Sequence, residues 1–123
     1  MKEINTVRDI IERSAEIYTN RSAFVLKNAD GTEAAVSYED FKTDIDALAL
    51  ALYEKLGLRG RHIGIVGDNS YNWCLSYFAV LSGDGVAVPL DKDNPAEETA
   101  RLLSFGDVSA LICDGKSCRS LSE

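Results

Sequence analysis

The segment from Arg61 to Asp91 constrains the fold more than any other part of the chain. It reads RHIGIVGDNSYNWCLSYFAVLSGDGVAVPLD. A short apolar run leads through a polar turn into an apolar stretch of helical length, and a glycine-rich break precedes a second apolar run. This order predicts a strand, a helix and a strand. Because buried strands joined through a helix lie parallel in one sheet, the segment predicts an α/β fold.

The central stretch of this segment predicts a helix that is apolar on nearly every side. Its apolar residues are Trp73, Cys74, Leu75, Tyr77, Phe78, Ala79, Val80 and Leu81. A helix of this kind is normally buried all round, and a three-stranded sheet covers only one of its sides. We therefore expect the N-terminal elements, a partner or the rest of a larger protein to cover the other side.

Further strand and helix signals extend the sheet unit to β-α-β-α-β, which predicts a parallel sheet with right-handed crossovers. The predicted strands are His62–Val66, Val86–Leu90 and Ser109–Cys113. The continuous apolar character of the second strand predicts burial on both faces. Between the last two strands, Asn94 is the expected helix cap, Pro95 the first helical residue and Gly106 the helix end. The tail Asp114–Glu123 is polar and predicts no further element.

The residues before Arg61 predict a helix, a hairpin and a second helix. Thr6 and Asp9 form a capping-box pattern, and the apolar face of the first helix is Val7, Ile10, Ile11 and Ile17. Asp30-Gly31 lies between two β-prone runs, which indicates a hairpin turn. Ser37 is the expected cap of a helix from about Tyr38 to Leu56, whose apolar stripe is Phe41, Ile45, Leu48, Leu52 and Leu56. Gly57 is its natural stop.

Composition excludes several classes of function. The 123 residues suffice for one domain, and their net charge of -7 makes the chain a poor candidate for binding nucleic acid or an anionic membrane. No secretory signal and no run of roughly 18 apolar residues occurs, so we expect a cytoplasmic protein without a transmembrane segment. The cysteines Cys74, Cys113 and Cys118 form no CxxC pair. We expect all three to be reduced thiols.

Motifs for nucleotide, metal and nucleophilic chemistry are weak. Gly64-Ile65-Val66-Gly67 is not GxGxxG, no GxxxxGK[ST] occurs, and Asp68 places a negative charge where a phosphate would bind. A tight turn that leads into a helix capped near Asn69 or Ser70 is the better interpretation. His62 is the only histidine, and no pattern nominates a nucleophile beside it. The DKDNP segment from Asp91 to Pro95 lacks the glycine and terminal Glu of an EF-hand loop, so it is interpreted as a solvated turn.

Four aromatic residues, Tyr71, Trp73, Tyr77 and Phe78, have the spacing of either an acyl or aromatic pocket or a packed core or interface. Helical spacing of this kind favours the core or interface. From the residues alone, no catalytic, cofactor-binding or metal residue is assigned.

Four segments in order resemble the N-terminal part of adenylate-forming ligases, the superfamily of acyl-CoA synthetases, peptide-synthetase adenylation domains and luciferases. They are SYEDF from Ser37, GLRGRHIGI from Gly57, NSYNW from Asn69 and LSGDGVAVPLD from Leu81. The resemblance covers about Asn5 to Gly115, and the wording NSYNW and VPLDK is most similar to long-chain fatty acyl-CoA synthetases. The chain departs from the family pattern at two places. His62 stands where the family often has Asp or Arg, and Ser82–Gly85 replaces the family's Lys-Ala-Gly run.

The resemblance implies that residues 1–123 are a partial N-terminal domain, without the family's phosphate loop and C-terminal domain. It implies a full-length parent that uses ATP, Mg and CoA to adenylate a fatty or other carboxylic acid and then to form its thioester. The fragment itself is expected to be an inactive scaffold, to have the remainder of the parent enzyme as its partner, and to self-associate through exposed apolar surface.

A second hypothesis is a stand-alone flavodoxin-like or Rossmann-like binding or interaction module. In such sheets the ligands lie at the carboxyl ends of the strands. In this chain those positions are Gly67–Ser70 and Asp91–Asn94.

Overall fold

The computed structural model describes residues 3–122 and confirms the α/β fold class, with a helix and hairpin preceding a parallel sheet unit. The helices are α1 Val7–Tyr18, α2 Tyr38–Leu50, α3 Tyr71–Leu81, α4 Ala96–Phe105 and α5 Gly115–Ser122. The strands are β1 Ser22–Lys27, β2 Glu33–Ser37, β3 His62–Val66, β4 Val86–Pro89 and β5 Val108–Cys113. Among residues 3–122, no helix combines the length and the apolarity that a membrane crossing requires.

The last helix, α5, contradicts the prediction of a structureless polar tail. Asp114 Oδ1 accepts a hydrogen bond from Ser117 N at 2.8 Å, which caps the first turn of the helix. Much of this short helix is exposed, which is consistent with its polar sequence. Glu123, the last residue of the predicted tail, lies outside the described residues.

Helix α1 begins with the predicted capping box. Thr6 Oγ1 accepts from Asp9 N at 3.1 Å, and Asp9 Oδ2 accepts from Thr6 N at 3.0 Å. The predicted apolar face is only half correct: Val7 and Ile11 pack into the core, whereas Ile10 and Ile17 are 47% and 56% exposed. The described neighbours, chiefly α2, cover a narrower stripe of α1 than its apolar pattern spans.

The predicted hairpin is present as an antiparallel pair of β1 and β2, with Leu26 opposite Ala34. Gly31 in its turn has a φ of +85°, the left-handed region that favours glycine. Ser37 then caps α2, and its Oγ accepts from Asp40 N at 3.0 Å. Both features were predicted, because turns and caps depend on adjacent residues.

Helix α2 continues into a π-helical turn, Ala51–Lys55, which was not predicted. Leu56 N donates to Ala51 O, five residues back, at 3.0 Å. The predicted stripe fails here at Leu56, which is 66% exposed, because the wider turn changes the register of the last residues. The helix then ends before Gly57, which has a φ of +66°.

The π-helical turn accompanies the burial of Tyr53, whose side chain fastens the end of α3 to the start of β4. Its hydroxyl donates to the carbonyl of Val80 and accepts from Gly85 N at 3.0 Å. A Cβ atom at Gly83 or Gly85 would collide with the Tyr53 side chain. The glycines of the Gly83-Asp84-Gly85 break therefore make room for this tyrosine.

The sheet has the order β4-β3-β5 and all its pairs are parallel, with Ile63 opposite both Ala87 and Ala110. Central strand β3 is buried, and Ile63 is fully enclosed. The expectation that the second strand is buried on both faces is wrong. In the described chain β4 is an edge strand, Val86 is 46% exposed, and Pro89 occupies the edge position that proline tolerates.

Helices cover both faces of this sheet. On one face α3 packs on β3 and β4, and α2 and α1 pack over α3. The apolar residues of α3 are all buried or half-buried, so the N-terminal elements supply part of the cover that its sequence predicts. On the other face, a Cβ at Gly64 would lie 3.1 Å from Leu103 Cδ2 of α4, so α4 approaches the backbone closely there.

The start of α4 differs slightly from the prediction. Pro95, not Asn94, is the cap, and the helix begins at Ala96. Thr99 N donates to Pro95 O at 3.0 Å. Glu97 and Glu98 occupy the first turn, where the helix dipole favours acids.

Candidate functional site

A cleft opens where β3 and β5 end and α3 begins, which is one of the two ligand positions that the module hypothesis predicts. Its lining includes Gly67, Asp68, Ser70, Trp73, Ser76 and Asp114. The cleft has a volume of about 160 Å³, whereas pockets for small molecules occupy roughly 300–1,000 Å³. By itself, then, it accommodates only a small group or part of a larger ligand.

Asp114 dominates the electrostatics of this cleft. Its Oδ2 accepts from Asp68 N at 2.9 Å and its Oδ1 accepts from Ser117 N at 2.8 Å. These hydrogen bonds lower the pKa of the Asp114 carboxyl from 3.8 to about 2, and the bond from the Asp68 amide has the largest effect. A Cβ at Gly67 would lie 3.0 Å from Oδ2, so glycine gives the carboxylate its place. A protein carboxylate thus occupies the position where a phosphate would accept backbone hydrogen bonds.

Sequence reasoning missed Asp114, which was assigned to the polar tail. The available signal was its place directly after a buried strand, because the carboxyl ends of parallel strands meet at one edge of a sheet. Its carboxylate reaches the turn after the neighbouring strand β3, a contact that only the sheet order creates.

The amino end of α3 is capped by Ser70, one of the two predicted caps. Ser70 Oγ accepts from Trp73 N at 3.1 Å, and Ser70 has an extended backbone. Together, Ser70 and Asp114 accept from two amides of the Gly67–Trp73 region. The turn is therefore closed by side chains of the protein itself.

The second predicted ligand position, Asp91–Asn94, meets the first one. Lys92 Nζ lies 2.7 Å from Asp68 Oδ1, and this carboxylate raises the pKa of Lys92. Asp91 Oδ1 accepts from Asp93 N at 2.8 Å, which is a local turn. Within residues 3–122, no three His, Cys, Asp or Glu side chains are grouped as metal ligands.

His62 lies at the opposite end of the sheet from the cleft. It begins β3, and its Nδ1 donates to Gly106 O at 2.7 Å. The predicted strand His62–Val66, which begins at this residue, is confirmed. The bond joins the start of β3 to the end of α4, which is a structural role.

The aromatic residues of α3 belong mainly to the packed core, not to a pocket. Phe41 lies edge-on to Phe24 of β1, with ring centroids 4.8 Å apart, and to Phe78, at 5.7 Å. Tyr71 joins this group and donates to Asp44 Oδ2 at 2.5 Å, and burial together with Asp44 raises the pKa of Tyr71. The cluster fastens the hairpin and α2 onto α3. Of the four aromatic residues, only Trp73 also lines the cleft.

The cysteines differ from the expectation of three thiols. Cys113 and Cys118 are joined as a disulfide with a Cα–Cα distance of 5.6 Å, and Cys74 is free and half-buried. The expectation rested on spacing, and spacing does not show that the start of α5 folds back beside the end of β5.

Comparison with known proteins identifies related chains. The family described as AMP-binding enzyme matches residues 11–123. The chain is similar to crotonobetaine/carnitine–CoA ligase of Salmonella paratyphi A, with 25% identity over 107 residues, 86% of this chain and 20% of the relative. It is similar to the nonribosomal peptide synthetase inpB of Emericella nidulans, with 34% identity over 82 residues, 66% of this chain and 4% of the relative. The chain thus spans a fifth or less of the length of these relatives.

The fold matches solved structures over nearly the whole chain. One is the N-terminal subdomain of Klebsiella oxytoca NpsA in complex with 3-hydroxyanthranilyl-AMSN, with a TM-score of 0.79 and 21% identity. The match covers 97% of this chain and 29% of that one. At this identity the likeness shows a shared fold.

Proposed function

The chain belongs to the family of AMP-binding enzymes, and from this premise we propose that it is a scaffold segment of an ATP-dependent carboxylate–CoA ligase. The observation that carries the proposal is the family match over residues 11–123, which includes the sheet and most of the helical layer above it. The chain belongs to the N-terminal domain of such an enzyme, and its work is to build and hold part of that domain.

The proposed parent enzyme joins a carboxylate to the α-phosphate of ATP and releases pyrophosphate. The acyl group then passes from AMP to the thiol of CoA, and AMP leaves. Magnesium accompanies ATP as the usual partner of its phosphates.

The cleft of this chain does not fit ATP and magnesium. Asp114 already accepts from two backbone amides, and Asp68 is paired with Lys92. Two carboxylates at the mouth of a helix amino end repel a triphosphate. We therefore infer no catalytic, cofactor-binding or metal-binding role for any of residues 3–122.

The proposal predicts that the 123-residue chain alone is inactive. The test is ATP–pyrophosphate exchange with ATP-Mg and a panel of fatty, aromatic and amino acids, with an active adenylate-forming ligase as the positive control. Exchange that depends on the added acid and exceeds the rate without protein would refute the scaffold role.

The proposal of CoA as the acyl acceptor depends on two short sequence motifs. NSYNW and VPLDK resemble the acyl-CoA synthetases most, and crotonobetaine/carnitine–CoA ligase is among the relatives, although a peptide synthetase is too. The coding sequence beyond the Glu123 codon tests this choice. A Ser/Thr/Gly-rich loop that is not followed by a carrier-protein domain would support a CoA ligase. A carrier-protein domain would support a peptide synthetase. A stop codon would contradict both.

A stand-alone binding module is the second candidate, and the cleft lined by Gly67, Ser70 and Asp114 at the carboxyl ends of β3 and β5 is the observation that favours it. A thermal-shift screen with nucleotides and flavins separates the two proposals. Stabilisation by one compound supports the module. No shift with any of them supports the scaffold.

A further inference from the structure

The Cys113–Cys118 disulfide spans Asp114, whose carboxylate lines the cleft. Cys113 is the last residue of β5 and Cys118 lies within α5, and their Cα atoms are 5.6 Å apart, a usual separation for bridged cysteines. Between them lies Asp114, whose two oxygens accept from the amides of Asp68 and Ser117. The covalent bond and these two hydrogen bonds hold the end of β5, the start of α5 and the turn after β3.

The disulfide is accessible to thiol exchange. Cys118 is exposed and Cys113 is half-buried at the rim of the cleft. Lys116 and Arg119 lie within two residues of Cys118 in the sequence, and neighbouring cations favour the thiolate form of cysteine. Exposed disulfides exchange with small thiols more readily than buried structural ones.

We propose that Cys113 and Cys118 form a reversible redox clasp that sets how firmly α5 and Asp114 are held against the turn Gly67–Asp68. In the oxidised state the S–S bond restrains the six-residue loop that positions Asp114. In the reduced state only hydrogen bonds and the packing of α5 hold it.

The exchange balances with glutathione as the partner. Two cysteine thiols lose two protons and two electrons and form one S–S bond, and one oxidised glutathione takes them up to give two reduced glutathione molecules. Reduction of the clasp is the reverse reaction. Cys74 lies in α3, outside this loop, and serves as an internal reference thiol.

The test has two measurements on the 123-residue chain and its variants. First, the chain is equilibrated in oxidised or reduced glutathione, alkylated and weighed by mass spectrometry. We expect one alkylated cysteine, Cys74, in the oxidised state and three in the reduced state. Second, hydrogen exchange is measured at the amides of Asp68 and Ser117, which should exchange faster after reduction.

Two variants sharpen the test. Cys118→Ser should exchange like the reduced chain under both conditions, whereas the control Cys74→Ser should respond to glutathione as the parent chain does. Circular dichroism checks that Cys118→Ser is folded, and the reduced parent chain supplies the same comparison without a substitution. Three alkylated cysteines in oxidised glutathione, a bridge that includes Cys74, or equal exchange of both amides in the two states would each overturn the proposal.

Discussion

The carboxylate of Asp114 accepts a hydrogen bond from the backbone amide of Asp68 at 2.9 Å, across 46 residues of sequence. This bond joins the turn after β3 to the residue after β5. It also places a protein carboxylate on a backbone amide of the turn between β3 and α3. The same contact therefore stabilises this edge of the sheet and makes it unsuitable for an anion.

Replacing Asp114 with Asn should change how stability responds to acid. The folded pKa of Asp114 is about 2, below its ordinary 3.8. A lowered folded pKa gives stability that is present above about pH 4 and is lost as the pH falls through about 2. Asp114→Asn removes this contribution, so its stability should fall less steeply over that range.

The measurement is urea unfolding at several pH values between 2 and 6. Asp93→Asn, at an exposed position of the β4–α4 loop, is the control and should retain the slope of the parent chain. An equal acid response in Asp114→Asn and the parent chain would show that Asp114 does not carry this effect.

Tyr53→Phe should destabilise the fold by about 1–3 kcal/mol, because it leaves polar backbone groups without their partner. The Tyr53 hydroxyl donates to the carbonyl of buried Val80 and accepts from Gly85 N. Equilibrium unfolding in urea measures the loss. Tyr18→Phe is the matched control, since Tyr18 is 41% exposed, and its effect should stay within about 0.5 kcal/mol. Equal effects of the two substitutions would exclude a special role for the Tyr53 hydroxyl.

Ser70→Ala should lower the free energy of unfolding by about 0.5–2 kcal/mol, the usual cost of losing a helix cap. Ser70 Oγ accepts from Trp73 N, and alanine has no acceptor for this amide. Thermal and urea unfolding give the measurement. Ser104→Ala, at an exposed position inside α4, provides the comparison and should be neutral or slightly stabilising. A neutral Ser70→Ala variant would mean that water satisfies the amide equally well.

The exposed apolar side chains should make the isolated chain bind a hydrophobic dye and self-associate. Phe105 on α4 is 86% exposed, and Ile10 and Ile17 on α1 are 47% and 56% exposed. Phe105→Ser should reduce dye binding and leave stability almost unchanged, since this side chain has little burial to lose. Arg101→Ser, on the same helix, is the control. A monodisperse monomer by light scattering that binds no dye would contradict this expectation.

Local patterns predicted the starts and ends of most elements. Thr6, Ser37 and Ser70 cap helices as expected, because a cap needs only a side-chain oxygen and an amide two or three residues away. The three parallel strands follow from short apolar runs between turns. Pattern alone misplaced the cap at Asn94, since Pro95 takes that position.

Long-range features could not be predicted in this way. Periodicity placed Ile10 and Ile17 on an apolar face, but it does not show which neighbour covers that face, and the described neighbours leave both exposed. The π-helical turn at Ala51–Lys55 contains Tyr53, whose hydroxyl bonds Val80 and Gly85, 27 and 32 residues away in the sequence. The Cys113–Cys118 bridge depends on the direction in which α5 leaves β5.

The amino-acid sequence by itself determined the α/β order of elements, their caps and turns, and the family resemblance that the comparisons established. These properties reside in neighbouring residues, whose backbone preferences and hydrogen bonds act over a few positions. Only the tertiary structure decided that α1 and α2 cover the apolar helix α3, that β4 lies at an edge, and that Asp114 closes the turn at Gly67. The reason is physical: such contacts join residues distant in the chain, and only the packed sheet and its helices bring them together.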